Sequence, residues 1–330
     1  MHLDAHSHRL DPSASAGAGW TLAGVDLDRW LADRGAASMV DRVPVLAFGS
    51  NRCPGKLTWL REHLGLAGPV VVLRARVEGL AAVWAAGLRA RDGARPATLA
   101  AVPGAVETHA VWMATPDQVA VLDRCEGRGE RYDLVRLRPG RGVGVVTEDG
   151  ARLDGVWTYW AGAPVRAPLL VDGAPVACRD VDQEAARELV GAPAPLDPGS
   201  VTVQDGAPDP AAWPDRVFVY GTLMPGQRAW PLIASRVVGE PEPAWLPGRV
   251  HDTGRGHPAL RQGGPGRARG TVLRLADPVA SLPVLDEYEG PDYRRVRALV
   301  HGTGGSAPAW LWTWRGELAG APVSGLWSPP

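Results

Sequence analysis

An internal repeat constrains this sequence most. Four short blocks occur twice, in the same order and at similar spacing. Val45-Leu46-Ala47-Phe48-Gly49-Ser50 aligns with Val217-Phe218-Val219-Tyr220-Gly221-Thr222. Both are apolar β-type runs that end at a glycine and a hydroxyl residue. Leu122-Asp123-Arg124-Cys125-Glu126-Gly127 aligns with Leu285-Asp286-Glu287-Tyr288-Glu289-Gly290. Tyr132-Asp133-Leu134-Val135-Arg136 follows the first of these, and Tyr293-Arg294-Arg295-Val296-Arg297 the second. Last, Val156-Trp157-Thr158-Tyr159 aligns with Leu311-Trp312-Thr313-Trp314. Chance rarely preserves order and spacing together. A chain of 330 residues divided this way gives two similar domains, each long enough to bury its own core.

The composition between the blocks sets the expected boundaries. Residues 1–42 read as an N-terminal arm with a short amphipathic helix near Asp26–Ala32. Residues 43–190 are the first, more divergent domain. Residues 191–214 carry Gly191, Pro193, Pro195, Pro198, Pro208, Pro210 and Pro214 and read as a linker. Residues 215–330 form the second domain.

The blocks also predict local structure. Thr115-Pro116 and Asp277-Pro278 each place a capping side chain before a proline, which is how a helix starts. Each helix stops at Gly127 or Gly290, where a left-handed cap suits glycine. Glu126 and Glu289 therefore sit at helix C-termini. The partial negative charge there opposes a carboxylate, and desolvation adds to the effect. Both push the pKa toward that of a useful general base. A lone Glu before a capping Gly reads as a solvated helix end, and only its recurrence argues for a role. Trp310, Trp312 and Trp314 alternate with Leu311 and Thr313, the period of a strand, and read as core. Tyr220, Gly221, Thr222 and Leu223 follow a strand. Glycine allows close approach, so the amides there could bind a carboxylate or an oxyanion. Tyr293 could orient a substrate or fill the core.

Other features narrow the function by exclusion. The net charge is -1, which offers no nucleic-acid or anionic-membrane surface. No apolar run approaches the ~20 residues of a membrane span, and no signal peptide is legible. Cys53, Cys125 and Cys178 are an odd number whose spacing fits neither a zinc site nor a disulfide framework, so a cytoplasmic location is the default. Gly49-Ser50-Asn51-Arg52-Cys53-Pro54-Gly55-Lys56 imitates a phosphate loop. It is one residue too long, and Leu57 stands where a hydroxyl should bind magnesium. Asp4-Ala5-His6-Ser7-His8 imitates a metal motif without a preceding strand or further ligands, so no metal is expected. Gly302-Thr303-Gly304-Gly305-Ser306 reads as a turn.

Together the blocks resemble a known superfamily, the γ-glutamylcyclotransferases and γ-glutamylamine cyclotransferases. Val217 to Leu223 looks like their glycine loop. Leu285 to Gly290, followed by Tyr293-Arg294, looks like their catalytic segment. His257-Pro258-Ala259-Leu260 resembles the strand between. The first half resembles them more loosely. Ala47-Phe48-Gly49-Ser50-Asn51 is similar to a loop variant ending Gly-Ser-Asn, but Phe48 replaces the usual Tyr. Arg124 and Cys125 replace the usual acidic and aromatic residues. The resemblance implies two tandem α+β domains, each a small mixed β-barrel with flanking helices. It implies a small γ-glutamyl amine or peptide as substrate. The substrate's own α-amine attacks the γ-amide, giving 5-oxoproline and a free amine, without cofactor or metal. By the same resemblance Glu289, and Glu126 in the first copy, are the general acid/base. Tyr220, Gly221, Thr222, Leu223 and Tyr293 bind substrate in the second copy; Phe48, Gly49, Ser50, Asn51 and Tyr132 are their counterparts. A binding module without turnover, and one active domain with a degenerate accessory domain, are the rival readings. Two fused copies could imitate a dimer, so a monomer with an internal pseudo-dimer is expected.

Overall fold

The computed structural model describes the chain except residues 4–5, 14–15, 139, 141, 197–200, 319–321, 324 and 328–330. Asp4 and Ala5 of the terminal metal-like run, and Pro198 of the linker, lie outside the described residues. The chain divides into two compact units. The first comprises Met1–His8, Arg42–Glu148 and Leu153–Pro208; the second comprises Arg9–Asp41, Asp149–Arg152 and Asp209–Pro330. Residues 9–41 thus belong to the unit built mainly from the C-terminal part of the chain. They contain the short helix Leu27–Ala32, capped by the Asp26 side chain.

In the first unit, β1 (Val43–Ala47) lies centrally in a mixed sheet. The helix α1 (Pro54–Leu64) follows, then the long strands β2 (Val71–Trp84) and β3 (Ala97–Ala114). Helix α2 (Pro116–Glu126) starts in a reciprocal capping box between Thr115 and Gln118 and ends at Gly127, with φ 66 and ψ 59. Next come β4 (Tyr132–Leu137), β5 (Gly144–Thr147), β6 (Trp157–Ala161) and β7 (Val201–Val203). The hydrogen-bonded order is β5-β2-β3-β1-β6-β4-β7, open at both ends. Only β1 and β6 pair in parallel. Trp112, Trp157 and Leu46 are fully buried at its centre.

The second unit uses β8 (Arg216–Val219), the short helix α3 (Trp230–Ala234), β9 (Val237–Asp252) and β10 (Pro258–Leu275). Helix α4 (Pro278–Glu289), β11 (Tyr293–Gly302) and β12 (Gly305–Trp314) complete it. The strand order β8-β10-β9-β11-β12 closes on itself through the parallel pair Val217–Trp310. Trp310, Trp312, Leu282 and Leu285 pack between α4 and one face of the strands. Phe218, Tyr220, Leu260, Leu311 and Trp327 fill the other side.

The two pairing schemes correspond strand by strand. The short central strand has the long strand as antiparallel neighbour and the Trp-bearing strand as parallel neighbour in each case. They differ at the margins. In the second unit β9 and β11 pair through Ala244–Gly302 and Trp245–His301. In the first, β5 and β7 occupy the equivalent edges of β2 and β4.

Register corrects the fourth sequence block by two residues. Trp157 pairs with Val45 as Trp310 pairs with Val217, so Trp157 corresponds to Trp310 rather than Trp312. Side chains agree. The Tyr159 hydroxyl donates to Asp123 Oδ1 at 2.7 Å, and the Trp312 indole donates to Asp286 Oδ1 at 3.0 Å. A slip of two keeps every side chain on its face, so sequence periodicity alone cannot detect it.

Arg297 ties residues 9–41 into the second unit. Its buried guanidinium donates to the Trp213 carbonyl at 3.1 Å and to the Met39 carbonyl, and lies 4.5 Å over the Trp213 ring. Arg297→Ala leaves both carbonyls without this donor and opens a void. We expect a loss of about 3 kcal/mol, measured by urea unfolding. A loss under about 0.5 kcal/mol, the range of surface substitutions, contradicts this role. A fragment beginning at residue 214 lacks both carbonyls.

Candidate active site

Where β8 ends, the chain turns through Tyr220, Gly221, Thr222 and Leu223 beside a pocket of about 300 Å³. A Cβ on residue 221 would stand 2.5 Å from Pro258 Cγ, so only glycine lets the loop approach β10 this closely. The loop is held by bonds from the Met224 amide to the Gly221 carbonyl and from the Ala229 amide to the Thr222 carbonyl, both 3.0 Å. Tyr220 is buried and its hydroxyl donates to the Trp312 carbonyl at 2.7 Å. Burial, first, and then the nearby Glu289 and Tyr293 raise its pKa well above that of an ordinary tyrosine. The Leu223 side chain belongs to the core. Thr222 Oγ1 lies 2.8 Å from the Tyr288 hydroxyl.

Glu289 ends α4 and lines the same pocket. Burial, aided by the negative charge of Asp286, pushes its carboxyl up to about 7. Asp286 is itself held by the Trp312 indole and by Arg295 at 2.9 Å. No hydrogen bond to the Glu289 side chain is present among the described residues, so the carboxyl is open to a ligand. Gly290 follows with φ 73 and ψ −174. This is not the expected left-handed cap but an extended positive-φ geometry, which a Cβ strains. Its amide donates to the Asp286 carbonyl at 3.0 Å.

Tyr293 lies at the start of β11. Its hydroxyl donates to the Pro258 carbonyl at 2.6 Å and lies 2.9 Å from His257 Nδ1. It buttresses the wall of the pocket and also lines it.

The first unit assembles the corresponding residues differently. Glu126 ends α2, and burial raises its pKa. The Asn51 amide donates to its Oε1 at 2.6 Å, and Lys56, Arg131 and Arg166 all oppose the rise. Phe48 is buried and has no hydroxyl to match that of Tyr220. Ser50 is exposed and opens a short helical turn, Ser50–Arg52, that leads into α1. A Cβ on Gly49 would meet nothing within 4 Å, so the close approach at Gly221 has no counterpart. Tyr132 does match: its hydroxyl donates to the carbonyl of Ala97, the first residue of β3, as Tyr293 does to Pro258 at the start of β10.

Arg228, His257, Asp292 and Tyr288 also line the pocket in the second unit. Tyr288 lies within a repeated block. His257 lies within the segment that resembles the superfamily. Arg228 and Asp292 have no counterpart in the repeat, so the sequence carried no signal for them. Among the described residues no cluster of His, Cys, Asp and Glu could hold a metal, and no helix is long and apolar enough to cross a membrane. All three cysteines are free.

With this geometry in hand, residues 217–329 match the family described as gamma-glutamyl cyclotransferase, AIG2-like. Over that stretch, about a third of the chain, the sequence is similar to γ-glutamylcyclotransferases. Among solved structures it is similar to an uncharacterized protein from Pyrococcus horikoshii, at 21% identity and a TM-score of 0.27, over 33% of this chain and 84% of that one. An AIG2-like protein from Mus musculus is 20% identical, with a TM-score of 0.28, over 32% of this chain and 80% of that one. YkqA from Bacillus subtilis is 14% identical, with a TM-score of 0.28, over 84% of this chain and 86% of that one. No curated protein matches the chain at a significant level.

Proposed function

We propose that the second unit is a γ-glutamyl cyclotransferase with Glu289 as its general acid/base. The observation that carries this reading is a carboxyl raised to about 7 at the wall of a pocket whose other side is a glycine loop. Ionised Glu289 takes a proton from the substrate α-ammonium. The freed amine attacks the γ-carbonyl, and the amides of Gly221, Thr222 and Leu223 stabilise the oxyanion. The γ-amide C–N bond then breaks, and Glu289 returns the proton to the departing nitrogen. The second proton of the new ring nitrogen is lost to the released amine, which leaves as an ammonium. The products are 5-oxoproline and a free amine. The nucleophile is part of the substrate, so holding the ring-closing geometry supplies much of the rate, about 7–11 kcal/mol in favourable intramolecular systems.

We further propose that the chain is a tandem pair of such domains in which the first is accessory. The corresponding strand pairings support common descent, and the closed order of β8 to β12 supports a small barrel in the second copy. The Asn51 amide donates to the Glu126 carboxylate, and the charges of Lys56, Arg131 and Arg166 favour its ionised form, which argues against Glu126 as a free base. We read the protein as a cytoplasmic monomer.

The test is 5-oxoproline release from a panel of γ-glutamyl amines and dipeptides, with stoichiometric amine. Ligand-induced melting shifts without product support the binding-module reading instead. The base form of Glu289 is required, so kcat/KM rises with pH through about 7 and then levels. A profile flat from pH 5 to pH 8 contradicts the assignment.

A further inference from the structure

Resting on that reading, we infer that Arg228 selects substrates whose leaving amine bears a carboxylate on the adjacent carbon: γ-glutamyl α-amino acids rather than γ-glutamyl alkylamines. Arg228 lines the pocket in the loop between β8 and α3. Its Nη2 donates to the Gly256 carbonyl at 3.0 Å, which anchors an exposed side chain at the pocket. No ion pair to Arg228 is present among the described residues, so its remaining donors are available to an anion.

The next residue, His257, supplies the second point of recognition. The Tyr293 hydroxyl spends its proton on the Pro258 carbonyl, so at 2.9 Å it accepts from His257 Nδ1–H. That bond fixes the tautomer and leaves Nε2 as a lone-pair acceptor in the neutral ring. Burial, first, and then Arg255 and Arg228 hold the imidazole pKa below its ordinary value, against Asp292 and Asp252, which act the other way. The pocket mouth therefore carries a neutral acceptor for an amide N–H beside a cation for a carboxylate. An α-amino acid joined through its amine presents those two groups one carbon apart. Asp292 and Glu289 are the acidic members of the same lining, so an anion is favoured on the Arg228 side.

The experiment compares γ-glutamyl-alanine with γ-glutamyl-ethylamine, which lacks only the carboxylate. 5-Oxoproline release gives kcat/KM for each, and calorimetry on Glu289→Gln gives binding without turnover. We expect the wild type to prefer γ-glutamyl-alanine about tenfold, with the difference in KM, a modest figure because Arg228 is exposed. Arg228→Ala should bring the ratio close to one, and Arg228→Lys should restore part of it. Equal kcat/KM values in the wild type, or a ratio unchanged in Arg228→Ala, overturn the inference while cyclisation stands. Carboxylate-dependent binding lost in Arg228→Ala, with no 5-oxoproline from any substrate, upholds the recognition and sinks the cyclisation. Neither binding nor product sinks both.

Discussion

Glu289→Gln is expected to abolish 5-oxoproline release, lowering kcat by a factor of about 10²–10⁴, the contribution typical of a positioned general acid/base. Gln keeps the size and removes the titration. The neighbours predict that the fold survives. α4 is held from the other side by Leu282 and Leu285 in the core and by Asp286 on the Trp312 indole. Stability should in fact improve at high pH. The folded carboxyl titrates at about 7 against an ordinary value near 4.5. The stability it confers is therefore full below about 4.5 and is lost as pH rises through about 7. Gln carries no such loss, so the variant should gain up to about 3 kcal/mol over the wild type at pH 8 relative to pH 4. Denaturant titration at the two pH values reads this directly. Glu126→Gln serves as the contrast: release should persist, because the Asn51 amide already occupies that carboxylate.

Gly221→Ala is the second large effect. The new methyl would meet Pro258 Cγ at 2.5 Å and Cδ at 2.9 Å. A proline ring at the start of β10 cannot swing aside, so the loop must move. Overpacking of this kind costs about 1–3 kcal/mol of stability. The catalytic loss should be larger, because a shift of about 1 Å in a positioning loop can cost a factor of about 10². We expect kcat/KM to fall about a hundredfold while circular dichroism still reports a folded chain. Gly49→Ala is the control. Nothing lies within 4 Å of its Cβ position, and it should cost under about 0.5 kcal/mol. Near-wild-type kinetics in Gly221→Ala contradict a positioning role for the loop.

The sequence revealed most where local chemistry repeats. Thr115-Pro116 and Asp277-Pro278 mark helix starts that the structure contains, and Glu126 and Glu289 end those helices. Glu289 and Tyr220 to Leu223 line one pocket although they lie far apart in the chain. Other features depend on tertiary contacts that leave no local pattern. The two-residue slip between Trp157 and Trp312 preserves strand period and composition, and only the pairing partner of Val45 exposes it. The docking of residues 9–41 rests on Arg297 reaching the Met39 carbonyl, a backbone acceptor without sequence signature. The different environments of Glu126 and Glu289 follow from Asn51 and from cations on other segments, not from the Glu-Gly block they share. Arg228 enters the pocket from a loop outside every repeated block.

The most direct test of intramolecular cyclisation is product analysis in ¹⁸O-labelled water. γ-Glutamyl-alanine is incubated with the wild-type chain, and the products are weighed by mass spectrometry. Attack by the substrate's own amine predicts unlabelled 5-oxoproline and one alanine per turnover. Glutamate carrying one ¹⁸O means that water is the nucleophile, and contradicts the role assigned to the pocket around Glu289.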